Sequence, residues 1–142
     1  MRNALFLLAL LATPALAQIE IENAWARATP PGAKTAAGYM TIRNKSSSPE
    51  RLISAASPLA ARVETHVHLH DGDVMRMRPV EGYALPAKGS LELSPGGAHL
   101  MFVDIKRPFK QGEKIPLTLR FQRAGEKKVV LDVRRIDAGT MK

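Results

Sequence analysis

Two histidines and two methionines stand at a spacing that could hold a soft metal ion. They are His66, Met77, His99 and Met101, in the pattern H-x10-M-x21-H-x-M. Imidazole and thioether donors are neutral, and the chain has no cysteine. Thioethers suit Cu(I), whereas carboxylates and carbonyls suit Mg, Ca and Mn. If the fold brings the four side chains together, we expect them to bind cuprous copper.

A β-hairpin is predicted just after the first of these histidines. Asp71-Gly72 follows a run of alternating apolar residues and is a strong signal for a two-residue hairpin loop. With this loop, His66 lies opposite Met77, and the Cβ atoms of opposite residues are about 4.5 to 5.5 Å apart. The same register pairs His68 with Met75. The hairpin is therefore predicted to supply one half of the site.

The other half of the site comes from one short segment. His99 and Met101 are two residues apart in a predicted strand, 98–105, so both side chains point to the same face. The spacing does not show that this strand lies beside the hairpin. The sequence thus predicts two half-sites, and their association depends on the fold.

A second metal site is also predicted, on the histidines of the hairpin. His66, His68 and His70 recur at period 2, so one face of the strand presents three imidazoles. Imidazole is a harder donor than a thioether, so these histidines suit Cu(II). We expect oxidised copper to bind weakly at two or three of them. Beside the four ligands of the first site, the possible accessory ligands are therefore His68, His70 and Met75.

Three less specific interpretations remain open. Met77 and Met101 could be ordinary core residues, because methionine fills irregular gaps in cores. The histidines could lie on a solvated strand face. Glu64 and Asp71, which are near the histidines in sequence, would suit a harder metal such as zinc, but the methionines would then have no role.

The first 17 residues predict export. Arg2 is followed by an apolar stretch, 4–12, and by the small-x-small sequence at 15–17, which together are typical of a secretory signal peptide. The apolar stretch is shorter than the roughly 18 to 20 residues that span a bilayer. We expect a periplasmic protein that does not span the membrane, with one domain at 18–133 and a short polar tail at 134–142. The absence of cysteine excludes disulfides and a His2Cys blue-copper centre.

The charge distribution does not favour nucleic-acid binding. The net charge is +8, but the 21 basic residues are interleaved with 13 acidic ones along the chain. Aromatic residues make up only 5% of the sequence, so the stacking surfaces of single-strand binders are lacking. An acidic surface or partner is the better match for a basic exported protein.

The fold is predicted to be all-β: an antiparallel β-sandwich in a single domain. Ten proline and ten glycine residues separate about nine short strand-like runs, and no long amphipathic helix is visible. The predicted strands are 19–26, 36–43, 51–56, 63–70, 74–78, 90–93, 98–105, 114–122 and 127–133. The predicted core residues are Trp25, Tyr39, Ile42, Leu52, Val67, Leu69, Leu91, Leu100, Phe102, Leu117, Leu119, Phe121, Val130 and Val133.

The sequence resembles the periplasmic copper chaperones of the PCuAC type, which are implicated in copper supply to cytochrome c oxidase. The resemblance covers roughly residues 23–133 and is carried by AWARATP at 24–30, GYM at 38–40, VMRMRPV at 74–80 and PGGAHLM at 95–101. The family's H-x10-M-x21-H-x-M pattern is matched at every interval. The chain departs from simpler members of the family in the imidazoles of His68 and His70, and we do not expect the metal-rich C-terminal extension that some members have.

The resemblance implies a cupredoxin-like or immunoglobulin-like sandwich that binds one Cu(I) through His66, Met77, His99 and Met101. It implies a copper chaperone rather than an enzyme, expected to be a monomer. The implied partner is a copper acceptor protein of cytochrome c oxidase assembly, or the oxidase subunit itself. The alternatives are a copper-storage or resistance protein without a dedicated acceptor, and a β-sandwich interaction module that binds no metal.

Overall fold

The structure of the protein is a computed structural model that describes residues 18–137. The strands are β1 Ile19–Arg27, β2 Thr35–Asn44, β3 Glu50–Ala56, β4 Ala60–Asp71, β5 Val74–Val80, β6 Tyr83–Leu85, β7 Ser90–Leu93, β8 His99–Ile105, β9 Lys114–Phe121 and β10 Gly125–Arg134. Within these residues no helix has the length and apolar composition needed to cross a bilayer. The predicted signal peptide and residues 138–142 of the predicted tail lie outside the described residues.

Seven of the strands close into a barrel. Hydrogen bonding runs in the order β4-β8-β2-β1-β10-β9-β3, and the pair Ala55–Val63 joins β3 back to β4. The remaining strands extend this ring: β5 on β4, β6 on β3 and β7 on β2. The all-β, cupredoxin-like single domain is confirmed. The predicted β-sandwich is not confirmed, because the strands form one closed sheet rather than two separate sheets.

One strand pairing departs from the predicted antiparallel order. β1 and β10 pair in parallel, with Trp25 opposite Asp132, while the other described pairings are antiparallel. All nine predicted strands are present, with ends that differ by a few residues. The short strand β6 was not predicted. β10 extends to Arg134, so the first residue of the predicted tail belongs to the barrel.

The core fills the barrel, and two of its predicted members are wrong. Most of the predicted residues are buried, and Val67 and Leu91 pack partly buried against the core. Leu69 is 41% exposed because the last pair between β4 and β8 is His66–His99, so Leu69 lies on a part of β4 that extends past β8. Val130 is 55% exposed because Leu131, its neighbour in β10, takes the inward position.

The hairpin between β4 and β5 turns one residue later than predicted. The loop is Gly72-Asp73, and Asp71 pairs with Val74. Gly72 has φ +63° whereas Asp73 is not among the residues with positive φ, as expected when glycine takes the first central position of a type II′ turn. The predicted register is therefore wrong.

The corrected register changes which side chains face each other. His66 lies opposite Pro79 and not Met77, and His68 lies opposite Met77. The other pair is His70–Met75. Because each partner moved by two residues, the side chains remain on the face to which they were assigned.

Candidate metal centre

The four predicted ligands share one face of three neighbouring strands. β8 lies directly beside β4, with His66 opposite His99 and Glu64 opposite Met101. On the other side of β4, β5 places Met77 on the same face, diagonal to His66. Diagonal neighbours stand about 7 to 8 Å apart, within reach of a methionine side chain. The structure thus brings the hairpin beside β8, which the spacing alone did not show.

His99 is the most deeply buried of the four, at 3% exposure. Its Nδ1 lies 3.0 Å from the carbonyl oxygen of Gly97, which only accepts, so Nδ1 carries the proton and Nε2 keeps a lone pair. Burial lowers the pKa of His99, and the nearby His66 and His68 lower it further. The imidazole is therefore held neutral with one nitrogen free to bind a metal.

His66 is held in the complementary tautomer. Its Nε2 lies 2.7 Å from Oε2 of Glu64, and a carboxylate accepts, so in the neutral ring the lone pair is on Nδ1. That Nδ1 is buried and has no hydrogen-bond partner. The hydrogen bonds from His66 and then from Arg62 lower the pKa of Glu64 and keep it ionised. A carboxylate behind an imidazole is the usual outer partner of a metal-bound histidine.

His68 is placed as favourably as His66. The ring centroid of His99 lies 5.5 Å from that of His66 and 5.4 Å from that of His68. A metal–nitrogen bond of about 2.0 Å puts an ion about 3.2 Å from a ring centroid, so two rings sharing one ion stand about 5.2 to 5.5 Å apart. The Nδ1 of His68 is also buried without a partner. Either histidine can therefore share an ion with His99.

Tyr83 ties the two histidine strands together. Its hydroxyl lies 2.6 Å from the carbonyl oxygen of His66 and 2.8 Å from that of His99. Burial raises the pKa of Tyr83 to about 12, so the hydroxyl stays protonated and its proton is shared between the two carbonyls. The hydrogen bonds fix the spacing of β4 and β8 at the level of the proposed ligands.

The thioethers lie at the open side of the cluster. Met77 is 53% exposed, so it is not a core residue, and Met101 is half-buried. The histidine face is not uniformly solvated either, since the His66 side chain is 12% exposed. Among the described residues, no three His, Cys, Asp or Glu side chains form a group that could hold a metal. A site with three or more protein ligands here therefore includes the sulfur donors.

The zinc interpretation does not fit this arrangement. Glu64 is engaged by Arg62 and His66, and Asp71 lies at the hairpin end on the face opposite to the histidines, because it is an odd number of residues away. A carboxylate-rich site is therefore not assembled.

Sequence reasoning missed two residues that support the cluster. Glu64 was considered only as a metal ligand, although its position two residues before His66 was a signal that both lie on one face. Tyr83 lies in a three-residue strand, too short for any periodicity to mark it. The structure adds Glu64 and Tyr83 as the residues that hold His66 and His99 in place.

The protein is an all-β, cupredoxin-like barrel with two histidines and two methionines on one face of the neighbouring strands β4, β5 and β8. The copper-bound PCuAC domain from PmoF2 is similar, with TM-score 0.71, 30% identity, and coverage of 83% of this chain and 93% of that one. Cu(I)-DR1885 from Deinococcus radiodurans in solution has TM-score 0.68 and 33% identity, covering 85% of this chain and 80% of that one.

The sequence comparisons name the family. The protein-family model described as "Putative lipoprotein LpqE-like" matches residues 19–133. The chain therefore belongs to the LpqE-like family, which is a PCuAC-type family. The protein described as "Putative lipoprotein Lxx21020" of Leifsonia xyli subsp. xyli is 29% identical over 117 residues, which is 82% of this chain and 69% of that protein. The resemblance to PCuAC domains is thereby confirmed.

Proposed function

We propose that the protein is a copper chaperone that binds one Cu(I) through His66, Met77, His99 and Met101. The observation that supports this most directly is the cross-strand pair His66–His99, with a lone pair free on each ring and the thioethers on the same face. Neutral donors leave the charge of Cu(I) uncompensated, so we expect binding that is firm and reversible. Two similar solved domains are copper-bound.

The protein is proposed to act outside the cytoplasm and not as an enzyme. Residues 1–17 are proposed to be a signal peptide that directs the protein to the periplasm, followed by the domain at 18–133 and the polar tail at 134–142. The names of the LpqE-like family and of the Leifsonia protein, which describe lipoproteins, support export. The proposed acceptor is a protein of cytochrome c oxidase assembly or the oxidase subunit.

Binding of Cu(II) at two of the three histidines His66, His68 and His70 is the secondary proposal. The three imidazoles share one face of β4. The residues opposite His68 and His70 on β5 are methionines. A Cu(II) titration followed by its visible and paramagnetic resonance spectra tests it. The double variant His68→Ala with His70→Ala should lose Cu(II) binding and keep Cu(I) binding at His66, Met77, His99 and Met101.

Two measurements test the proposed function against its alternatives. Copper stoichiometry should be one Cu(I) per chain at these four ligands, whereas an interaction module without a metal would bind none. Transfer to a purified acceptor domain should then be faster than spontaneous release of copper to solution. A storage protein would bind Cu(I) but give no acceleration by any acceptor.

A further inference from the structure

Two cross-strand pairs of histidine and methionine follow one another along the hairpin. The pairs are His68–Met77 and His70–Met75. Opposite residues point to the same face with Cβ atoms about 4.5 to 5.5 Å apart, close enough for two side chains to share an ion. Each pair thus offers one imidazole and one thioether, which is the donor combination that suits Cu(I).

Exposure increases along this row of donors, away from the barrel. His99 is 3% exposed and the His66 side chain 12%, whereas His68 is half-buried. His70 is exposed, and Met75 is 51% exposed. The donors therefore lead from the buried cluster to the end of the hairpin, where another protein can reach them.

His99 can bind only one copper ion at a time. Its Nδ1 is held by Gly97, which leaves Nε2 as its single free donor. His66 and His68 are at nearly the same distance from His99, and the Nδ1 of each is buried without a partner. One ion bound to His99 can therefore exchange His66 for His68 without a change in the fold.

We propose that His68, His70, Met75 and Met77 form a second Cu(I) site, contiguous with the cluster of His66, His99 and Met101, and that copper moves onto it before it leaves the protein. The inference rests on the proposed function. The step is a ligand exchange in which the bonds from Cu(I) to His66, His99 and Met101 break as bonds to His68, His70 and Met75 form, while Met77, a donor of both sites, stays bound. The donors are neutral before and after, so neither a proton nor an electron is transferred.

Methionine methyl NMR on the whole protein tests the second site directly. Ag(I), a redox-inert probe for Cu(I), is added to protein labelled with 13C at the methionine methyl groups, and Met75 is assigned by loss of its signal in Met75→Leu. We expect Met77 and Met101 to shift with the first equivalent and Met75 to shift by the second. A Met75 signal that stays unchanged through two equivalents, while Met101 shifts, overturns the second site.

Release kinetics provide the second test, on variants of exposed residues. His70→Ala combined with Met75→Leu should change the equilibrium Cu(I) affinity by less than about threefold and slow the transfer of Cu(I) to a chromogenic chelator by about tenfold or more. The control is Val74→Ala, at the same hairpin end and 52% exposed but on the opposite face. It should leave both quantities unchanged.

The outcomes separate this inference from the proposed function. A release rate in the double variant equal to that of the parent overturns the second site, and the affinity of the first site is then untouched. If neither Met77 nor Met101 responds to Ag(I), the proposed Cu(I) site itself fails, and the second site fails with it.

Discussion

Glu64 is expected to control copper affinity without binding copper. Its Oε2 lies 2.7 Å from the Nε2 of His66, which fixes the tautomer that leaves Nδ1 free. Loss of such an outer partner typically lowers metal affinity by about 10- to 100-fold. Glu64→Ala should therefore weaken Cu(I) binding in this range, which corresponds to about 1.4 to 2.7 kcal/mol.

A second substitution, Glu64→Gln, separates the effect of the hydrogen bond from the effect of the charge. The side-chain carbonyl of Gln still accepts a hydrogen bond from Nε2, but without the charge that makes such bonds roughly twice as strong. Glu64→Gln should therefore lower the affinity by less than Glu64→Ala does, by up to about tenfold. The control is Glu22→Gln, which removes another exposed ion-pair carboxylate, on β1.

The assay is a competition titration of Cu(I) against a chromogenic chelator, with urea unfolding of the apo protein measured in parallel. Because exposed ion pairs contribute about 0 to 1 kcal/mol, apo stability should change little in all three variants. If Glu64→Ala binds Cu(I) as tightly as the parent protein, His66 does not bind copper through Nδ1, and the tautomer argument is refuted.

Two further predictions concern the residues behind the site. Tyr83→Phe should destabilise the apo protein by about 1 to 3 kcal/mol in urea unfolding, because the buried carbonyls of His66 and His99 lose their donor; Tyr39→Phe, the same change in a neighbouring buried ring, should cost less. Since burial lowers the pKa of His99 in the folded protein, the unfolded chain binds more protons below about pH 6.5, so apo stability should fall as the pH decreases from there. His99→Gln should make that pH dependence shallower, and an unchanged slope would contradict the assignment.

The local part of the structure was accessible from the sequence. Strand positions follow from alternation and from the proline and glycine breaks, because both act over a few residues. The faces of His66 and of His99 with Met101 follow from period 2 alone. The hairpin register could not be predicted in the same way, because Asp71-Gly72 fits two turn types. The turn type depends on whether glycine takes the first or the second central position.

The long-range part of the structure was not accessible. Parallel pairing of β1 with β10, and pairing of β3 with β9, join segments that are far apart in the chain. No local pattern encodes these pairings. Exposure of Leu69 has the same origin, because it depends on where β8 begins beside β4. Tyr83 acts on two strands from a third, which only the folded chain reveals.

The most direct test of the account is a Cu(I) competition titration of Met77→Leu and Met101→Leu. Exchange of methionine for leucine conserves volume and costs less than about 1.5 kcal/mol of stability, so the fold should be retained. Met40→Leu, the same change at a core position 2% exposed, is the matched control. The account predicts one tightly bound Cu(I) per parent chain, an affinity about tenfold or more lower in each site variant, and no change in the control. Equal affinities in the parent and in both site variants would contradict the thioether site.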